Sequence, residues 1–190
     1  MKELEDKILN EGTVLPGDVL KVGSFLNQQI DVELLAHMAD ETARLFAGEK
    51  ITKVLTIEAS GIAFATAVAL KLGVKMVYAK KHASANVSGE LYSTKVFSYT
   101  HGKTYDVAVS KDYLLREDKV LIVDDFLAGG NALKGLIDLV EQSGAKVVGA
   151  CVEIEKAYQG GGDALRSRGY RVESLAKIRE MTDKSLSFCS

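Results

Sequence analysis

The sequence of 190 residues predicts an α/β fold in which a mainly parallel sheet is covered by helices on both faces. Short apolar runs alternate with amphipathic stretches along the chain, and glycines stand at the junctions between them. The hydrophobic fraction of 47% and the charged fraction of 26% are typical of a protein with a packed core. At roughly 150 residues per domain, we expect one domain over residues 1–190.

The first half of the chain predicts three helices and two strands. Leu4 and Ile8 are spaced for one face of a helix over residues 1–11, and Asp31 is a candidate N-cap for a second helix through Ala47. The remaining elements of this half are a buried strand at Lys53–Ile57, a helix from Gly61 to Gly73 and a second buried strand at Val74–Lys80.

The second half begins with a different pattern. Residues 91–109 alternate between apolar and polar around His101, which predicts an antiparallel pair of strands, whereas Ala83–Gly89 has no periodicity and predicts a mobile loop. The later elements are a strand at Lys119–Val123, a helix at Asn131–Ser143, a strand at Lys146–Glu155, and a short helix with edge strands in the last thirty residues.

Composition excludes several classes of function. The 24 basic and 26 acidic residues give a net charge of −2, which offers no footprint for nucleic acid or an anionic membrane. The apolar run Val54–Leu70 is interrupted by polar residues and is not expected to span a membrane, and the charged N-terminus is not a signal peptide. Cys151 and Cys189 are too few for a disulfide framework and fit a reducing cytoplasm.

The most specific pattern is VLIVDDFLAGGNA at residues 120–132. An apolar strand ends in Asp124 and Asp125, and a turn of small residues leads into a helix. The N–H groups of such a turn converge on an anion, and the helix dipole adds partial positive charge. Two acids would repel a phosphate this close, but they suit a sugar diol. A phosphorylated ribose satisfies both halves of the pattern.

Two other interpretations of this pattern are possible from the sequence. The acids could be solvated or could cap the following helix, or they could form a receiver-type pair that holds magnesium. A receiver needs its acid pair near the N-terminus, where this chain has a helix and a loop. The full string of thirteen residues favours the ribose phosphate interpretation over both.

A second strand-to-helix loop supports a substrate with a diphosphate. Ala59, Ser60 and Gly61 follow the strand at Lys53–Ile57, so their N–H groups face the same edge of the sheet. No Gly-x-Ser-x-Gly elbow surrounds Ser60, which argues against a hydrolase. The alternative is that Ser60 caps the next helix. The charge pair at Lys80–Lys81 could hold a diphosphate, although such runs are often only solvated.

The 120–132 string resembles the phosphoribosyl pyrophosphate (PRPP) motif of type I phosphoribosyltransferases: four apolar residues, two acids, two apolar residues, then Ala and a small-residue loop. Many relatives carry Thr-Gly-Gly-Thr in this loop, where the present chain has Gly129–Ala132. The departure counts against adenine and orotate transferases. The resemblance is to the branch that uses xanthine, and it extends over essentially the whole chain.

The resemblance implies a type I phosphoribosyltransferase fold, with a hood formed by residues 1–30 and 156–190 and a flexible loop or hairpin over the site. It implies transfer of phosphoribosyl from PRPP to xanthine by a cytoplasmic homodimer, with Mg²⁺ held mainly by PRPP rather than by side chains. It assigns catalysis to Asp124 and Asp125. The implied PRPP-binding residues are Ala59, Ser60, Gly61, Lys81, Ala128, Gly129, Gly130, Asn131 and Ala132.

Base recognition is assigned to four residues. The ammonium of Lys156 has donors only, so it suits an oxo group and rejects an amine, and Tyr158 could stack on a purine. Without the resemblance, Lys156 would be taken for a surface lysine. The resemblance places Lys156 against the purine oxygen and adds Leu20 and Asn27 from the hood.

Two further functions were considered. A non-enzymatic purine regulator could bind PRPP as an effector, but such proteins carry an added N-terminal DNA-binding domain, and here the fold is expected to begin almost at Met1. A transferase for hypoxanthine, guanine or adenine would differ only in the pocket for the base.

Overall fold

A computed structural model describes residues 1–81, 89–98 and 102–189, which form ten strands and five α-helices. The helices are α1 (Lys2–Glu11), α2 (Val32–Leu45), α3 (Gly61–Leu72), α4 (Asn131–Ser143) and α5 (Gly161–Ser167). The strands are β1 (Thr13–Leu15), β2 (Val19–Lys21), β3 (Lys53–Ile57), β4 (Lys75–Lys81), β5 (Leu91–Ser98), β6 (Lys103–Ser110), β7 (Lys119–Leu127), β8 (Lys146–Lys156), β9 (Val172–Met181) and β10 (Leu186–Phe188). A π-helical turn at Gly23–Asn27 and a 3₁₀ turn at Ala157–Gln159 complete these elements.

Eight of these strands form one sheet in the order β10-β9-β8-β7-β3-β4-β6-β5. The five strands from β9 to β4 in that order are parallel, as expected where helices connect them. The outer strands β10, β6 and β5 are antiparallel, and β1 and β2 form a separate hairpin. The predicted α/β class and the predicted antiparallel pair are confirmed.

The central strand β7 shows why helices cover both faces of the sheet. Leu121 and Val123 pack into a cluster with α1, α2 and α3, whereas Val120 and Ile122 pack into a second cluster with α4. All four side chains are fully buried. A strand buried on both faces is a continuous apolar run, which is the pattern that predicts it.

The helix boundaries follow local signals in the sequence. Asp31 caps α2 by accepting a hydrogen bond from the N–H of Leu34 at 3.2 Å, and α2 ends at Leu45, slightly before the predicted end. Gly73 and Gly144 end α3 and α4 with φ values of 68° and 75°. Glycine adopts this left-handed conformation at little cost.

Two strands differ from their prediction. The run at Val74–Lys80 is predicted to be buried, but within β4, which is described in full, Ala79 alone is fully buried. In the described ranges β6 pairs only with the last two residues of β4, so the earlier part of β4 is an open edge. β7 continues past Val123 to Leu127, so the acid pair lies inside the strand rather than after it.

Part of the predicted loop region lies outside the described residues. This applies to the loop predicted over Ala83–Gly89, except for Gly89 itself, and to His101 of the predicted turn. No helix within the described ranges is long and apolar enough to cross a membrane.

Candidate functional site

Four neighbouring strands bring most of the predicted site residues to one edge of the sheet. β8, β7, β3 and β4 are parallel and adjacent in that order. The chain passes from β3 through α3 to β4, and it later returns on the other side of β3 as β7. The space between the carboxyl ends of β3 and β7 is therefore the topological switch point, where open α/β sheets bind ligands.

Asp124 lies at this point, directly against the start of α3. Its side chain is almost fully buried, with 4% of its surface exposed. A Cβ atom on Gly61 would lie 2.8 Å from Oδ1 of Asp124 and 2.4 Å from Oγ1 of Thr56. Glycine is therefore needed at position 61 to let α3 approach the acid this closely. The buried hydroxyl of Thr56 has no hydrogen-bond partner among the described residues.

Asp125 connects the two predicted phosphate loops. It accepts a hydrogen bond from the N–H of Phe126 at 2.9 Å, and the nearby hydroxyl of Ser60 lowers the pKa of its carboxyl group. Ser60 occupies the N-cap position of α3, but within the described residues its side chain makes no cap hydrogen bond to the helix. Ser60 instead joins the β3–α3 loop to the acid pair.

The acid pair holds protons more strongly than ordinary carboxyl groups. Burial raises the pKa of Asp124 well above its usual 3.8, and the charge of Asp125 raises it further. Burial also raises the pKa of Asp125, although the hydrogen bonds from Phe126 and Ser60 oppose this. The positive charge of Lys81 lowers the pKa of both acids. The pair is thus prepared to face a cationic group.

A third acid, Glu153, was missed from the sequence. β7 and β8 pair Asp124 with Val152 and Phe126 with Ile154, so Asp125 and Glu153 are neighbours on adjacent strands. Glu153 is 3% exposed, and its pKa is raised well above the usual value by burial and then by the charges of the two aspartates. A charged residue inside the apolar run CVEIEK was the available signal.

The loop between β7 and α4 offers free backbone donors at the same edge. Gly130 precedes α4 with a φ of 81°, and within the described ranges no side chain caps the first turn of the helix. The N–H groups at the start of α4 therefore remain open to an anion. Lys134 contacts the loop by donating to the carbonyl of Gly129 at 3.2 Å, and Asn131 donates to the carbonyl of Phe97 at 3.1 Å.

The start of α5 supports this loop from behind. A Cβ atom on Gly161 would lie 2.1 Å from the carbonyl oxygen of Ala128 and 2.6 Å from the N atom of Gly130. Only glycine permits such close approach of two backbones. The run of three glycines at 160–162 is the sequence signal that could have identified Gly161.

Lys81 ends β4 and is exposed. Its N–H donates to Oε1 of Glu58 at 2.7 Å, which ties the end of β4 to the β3–α3 loop. Ala59, also in this loop, accepts a hydrogen bond from the N–H of Ile62 at 3.1 Å. The hydrogen bond between Lys81 and Glu58 therefore joins the two segments predicted to bind diphosphate, which are the end of β4 and the β3–α3 loop.

Three of the four predicted base-binding residues lie on the elements nearest the end of β8. Leu20 is buried on β2, Lys156 is the last residue of β8, and Tyr158 lies on the 3₁₀ turn. Lys156 and Tyr158 both donate hydrogen bonds to Asp18, which the sequence reasoning missed. Asn27 is exposed at the end of the π-helical turn.

Comparisons with known proteins find similar sequences over nearly the whole chain. Residues 21–176 match the family model of the phosphoribosyl transferase domain. The chain is 46% identical over 188 residues to a xanthine phosphoribosyltransferase of Limosilactobacillus reuteri strain DSM 20016, covering 99% of this chain and 98% of the relative. It is 54% identical over 182 residues to a xanthine phosphoribosyltransferase of Bifidobacterium adolescentis, covering 95% and 94%.

The fold also matches solved structures. The APRTase from Giardia lamblia complexed with 9-deazaadenine has a TM-score of 0.80 to this chain at 24% identity, covering 93% of this chain and 98% of that one. At this level of identity the match shows that the two proteins share a fold.

Proposed function

The chain belongs to the phosphoribosyl transferase family, and from this premise we propose that it is a xanthine phosphoribosyltransferase of purine salvage. The enzyme, a pentosyltransferase, transfers the 5-phosphoribosyl group of PRPP to xanthine and gives XMP and diphosphate. Relatives with this activity in their names are about half identical to the chain over nearly its full length.

One observation supports the assignment of the site above all others. The acid pair of β7 lies between two loops that each lead into a helix without a side-chain cap in the described part of the chain. We assign the ribose hydroxyls to Asp124 and Asp125 and the 5-phosphate to the amides of residues 128–132. The diphosphate is assigned to the loop at residues 59–61 and to Lys81.

The reaction displaces diphosphate from C1 of the ribose by a ring nitrogen of the purine. Positive charge grows on the sugar in the transition state, while the leaving group gains negative charge. Ionised Asp124 and Asp125 would face the positive charge, and the free amides of the loops would face the negative charge. Catalysis then depends on positioning and electrostatics, with no covalent intermediate.

The acids also fit a magnesium ion that enters with PRPP. Buried carboxyl groups with raised pKa values become easier to ionise when a cation lies near them, and carboxylate oxygens are suitable ligands for Mg²⁺. Magnesium would neutralise the leaving diphosphate. We propose that PRPP, rather than protein side chains, holds most of the ion's coordination, and that the charge of the ion favours the ionised forms of Asp124 and Asp125.

The base is assigned to the end of β8. Lys156 would meet a purine oxygen, Tyr158 would stack on the ring, and Leu20 and Asn27 would contact the base from the hood. A site made of donors favours xanthine, because xanthine has one more oxo group than hypoxanthine and lacks the amine of guanine.

We further propose that residues 1–190 act as one catalytic domain in a cytoplasmic homodimer. The thiols of Cys151 and Cys189 are free, which a reducing compartment would maintain.

Turnover with PRPP and Mg²⁺ tests the proposed function, with xanthine, hypoxanthine, guanine, adenine, orotate and uracil as acceptors. We expect xanthine to have the highest kcat/KM and adenine to be the poorest purine. Adenine turned over as well as xanthine would contradict the base assignment. PRPP binding without turnover of any acceptor would indicate a regulator instead.

A further inference from the structure

Asp18 occupies an unusual backbone position in the N-terminal hairpin. β1 and β2 pair Leu15 with Val19, so residues 16–18 form the turn between them. Gly17 and Asp18 have φ values of 81° and 65°, and Asp18 is the one residue other than glycine with positive φ in the described ranges. Asp and Asn tolerate this conformation better than most residues. The turn directs both the carbonyl and the carboxylate of Asp18 toward the end of β8.

Three donors from the end of β8 and from the 3₁₀ turn after it converge on this residue. Lys156 donates to the backbone carbonyl of Asp18. The hydroxyl of Tyr158 donates to Oδ1 at 2.5 Å, and Nε2 of Gln159 donates to Oδ2. We name this set of four residues the Asp18 clasp. It joins two parts of the hood that are far apart in the sequence.

The clasp determines which donors of Lys156 remain for a ligand. An ammonium group has three N–H donors, and one is directed at the carbonyl of Asp18. The Asp18 carboxylate lies 3.8 Å from Nζ, and the Lys156 side chain is only 11% exposed. Burial lowers the pKa of Lys156, and the charge of Asp18 opposes this. Asp18 thus both orients the ammonium and favours its charged form.

The same hairpin carries a second residue assigned to the base. Leu20 lies in β2, two residues after Asp18, and it is buried in the core cluster together with Val22. A shift of the hairpin would therefore move Leu20 relative to Lys156 and Tyr158. The Asp18 clasp therefore fixes the positions of Leu20, Lys156 and Tyr158 relative to one another.

We propose that Asp18 is a positioning residue that sets base preference by holding Lys156 and Tyr158 in register with Leu20. This inference rests on the proposed function, since it assigns the purine to these residues. Asp18 acts through Lys156 and Tyr158 rather than on the reacting atoms.

Replacing Asp18 by Gly tests the proposal. Glycine keeps the positive φ and the carbonyl that accepts from Lys156, but it removes both carboxylate acceptors. We expect KM for xanthine to rise about tenfold, KM for PRPP to change less than about twofold, and the preference for xanthine over hypoxanthine to fall about tenfold. Asp18→Asn keeps an acceptor for Tyr158. Its KM for xanthine and its base preference should therefore lie between those of Asp18→Gly and the wild type.

A control and a double variant sharpen the test. Asp40→Asn removes an exposed aspartate that is 2.7 Å from Lys71 and should leave all these constants unchanged. Tyr158→Phe should shift base preference in the same direction as Asp18→Gly. Combining the two should add little to the effect of Asp18→Gly, because both variants remove the hydrogen bond between Tyr158 and Asp18. Circular dichroism and thermal unfolding show whether each variant is folded.

The outcomes separate the inference from the proposed function. Equal changes in the constants for xanthine and PRPP, or an unchanged base preference in both Asp18 variants, would overturn the role of Asp18 while the enzyme itself still uses xanthine. A wild-type protein that transfers phosphoribosyl to no oxopurine would contradict the proposed function, and the inference with it.

Discussion

At the scale of single residues, the acid pair opposes the stability of the fold. A carboxyl group whose pKa is higher in the folded than in the unfolded chain binds more protons when folded. Stability therefore falls as pH rises from the usual carboxyl pKa of 3.8 toward the raised pKa of Asp124. The burial of two adjacent carboxyl groups lowers stability at neutral pH, and a role of these groups in the proposed activity accounts for it.

Replacing both acids by asparagine should separate stability from activity. We expect Asp124→Asn with Asp125→Asn to lose turnover by several decades, at roughly 2–4 kcal/mol for each transition-state contact. At pH 7 the variant should unfold at a higher temperature than the wild type, by about 2–4 °C for each kcal/mol gained. This difference should disappear near pH 3.8, where the native acids are protonated.

Steady-state kinetics at pH 7 measure the loss of turnover, and calorimetric scans from about pH 3.5 to 8 measure the difference in unfolding temperature. Asp183→Asn, in an exposed turn, is the matched control and should change neither quantity. A double variant that retains more than about a tenth of the wild-type rate would refute the ribose assignment.

Lys156 should be responsible for discrimination between bases. We expect Lys156→Ala to lower kcat/KM for xanthine, hypoxanthine and guanine by about 10- to 100-fold, because each loses a charged hydrogen bond. The kcat/KM for adenine should fall less, so the difference in kcat/KM between adenine and the oxopurines should become smaller. Lys146→Ala, at the exposed opposite end of the same strand, is the control. If Lys156→Ala keeps the base preference of the wild type, Lys156 does not contact the base.

At the scale of elements, the proposed phosphate sites are two strand-to-helix loops. Gly61 lets the start of α3 lie against Asp124 of β7, and Gly161 lets the start of α5 lie against Ala128 in the β7–α4 loop. Neither contact leaves room for a side chain. Backbone donors at the starts of α3 and α4 are thereby held in place before any ligand binds, which reduces the cost of ordering them.

Gly129→Val should prevent the β7–α4 loop from binding PRPP. A side chain there would occupy the space through which the backbone approaches the phosphate. Calorimetric titration with PRPP and Mg²⁺ should show no binding, while circular dichroism shows a native fold. Ala47→Val, in an exposed turn that leads to the opposite end of β3, should bind normally. If Gly129→Val binds PRPP with the affinity of the wild type, the β7–α4 loop does not bind the phosphate.

At the scale of the whole molecule, the site joins parts of the chain that fold as separate elements. The hairpin, the parallel strands and the segment after β8 all contribute to one edge of the sheet. A ligand that contacts them together stabilises the native state over the unfolded chain.

PRPP with Mg²⁺ should therefore raise the unfolding temperature of the protein. At 100 times the dissociation constant the gain is about 2.7 kcal/mol, or roughly 5–10 °C for a chain of this size. PRPP with excess chelator should give a smaller shift, because the diphosphate would then bring uncompensated charge close to the buried acids. Equal shifts with and without the metal would argue against magnesium in the complex.

The sequence by itself determined most of the helices and the strands of the large sheet, and it located the proposed phosphate loops, whereas the β1–β2 hairpin was not predicted. Asp31, Gly73 and Gly144 act on residues within one turn of a helix, and the 120–132 string is continuous, so both kinds of signal can be read locally. α4 begins and ends at the predicted residues for this reason. The order of the strands then brings these local signals to one edge.

Tertiary structure alone decided which distant groups meet. The neighbours of Asp125 include Glu153 on the next strand, and Lys156 is held by Asp18 from the other end of the chain. Glu153 stands out as a charge in an apolar run, but neither contact can be predicted locally. The first depends on the order of the strands, and the second on how the hairpin packs against the sheet. The raised pKa values of the acids follow from the same cause, since burial is a property of the packed molecule and not of the strand that carries them.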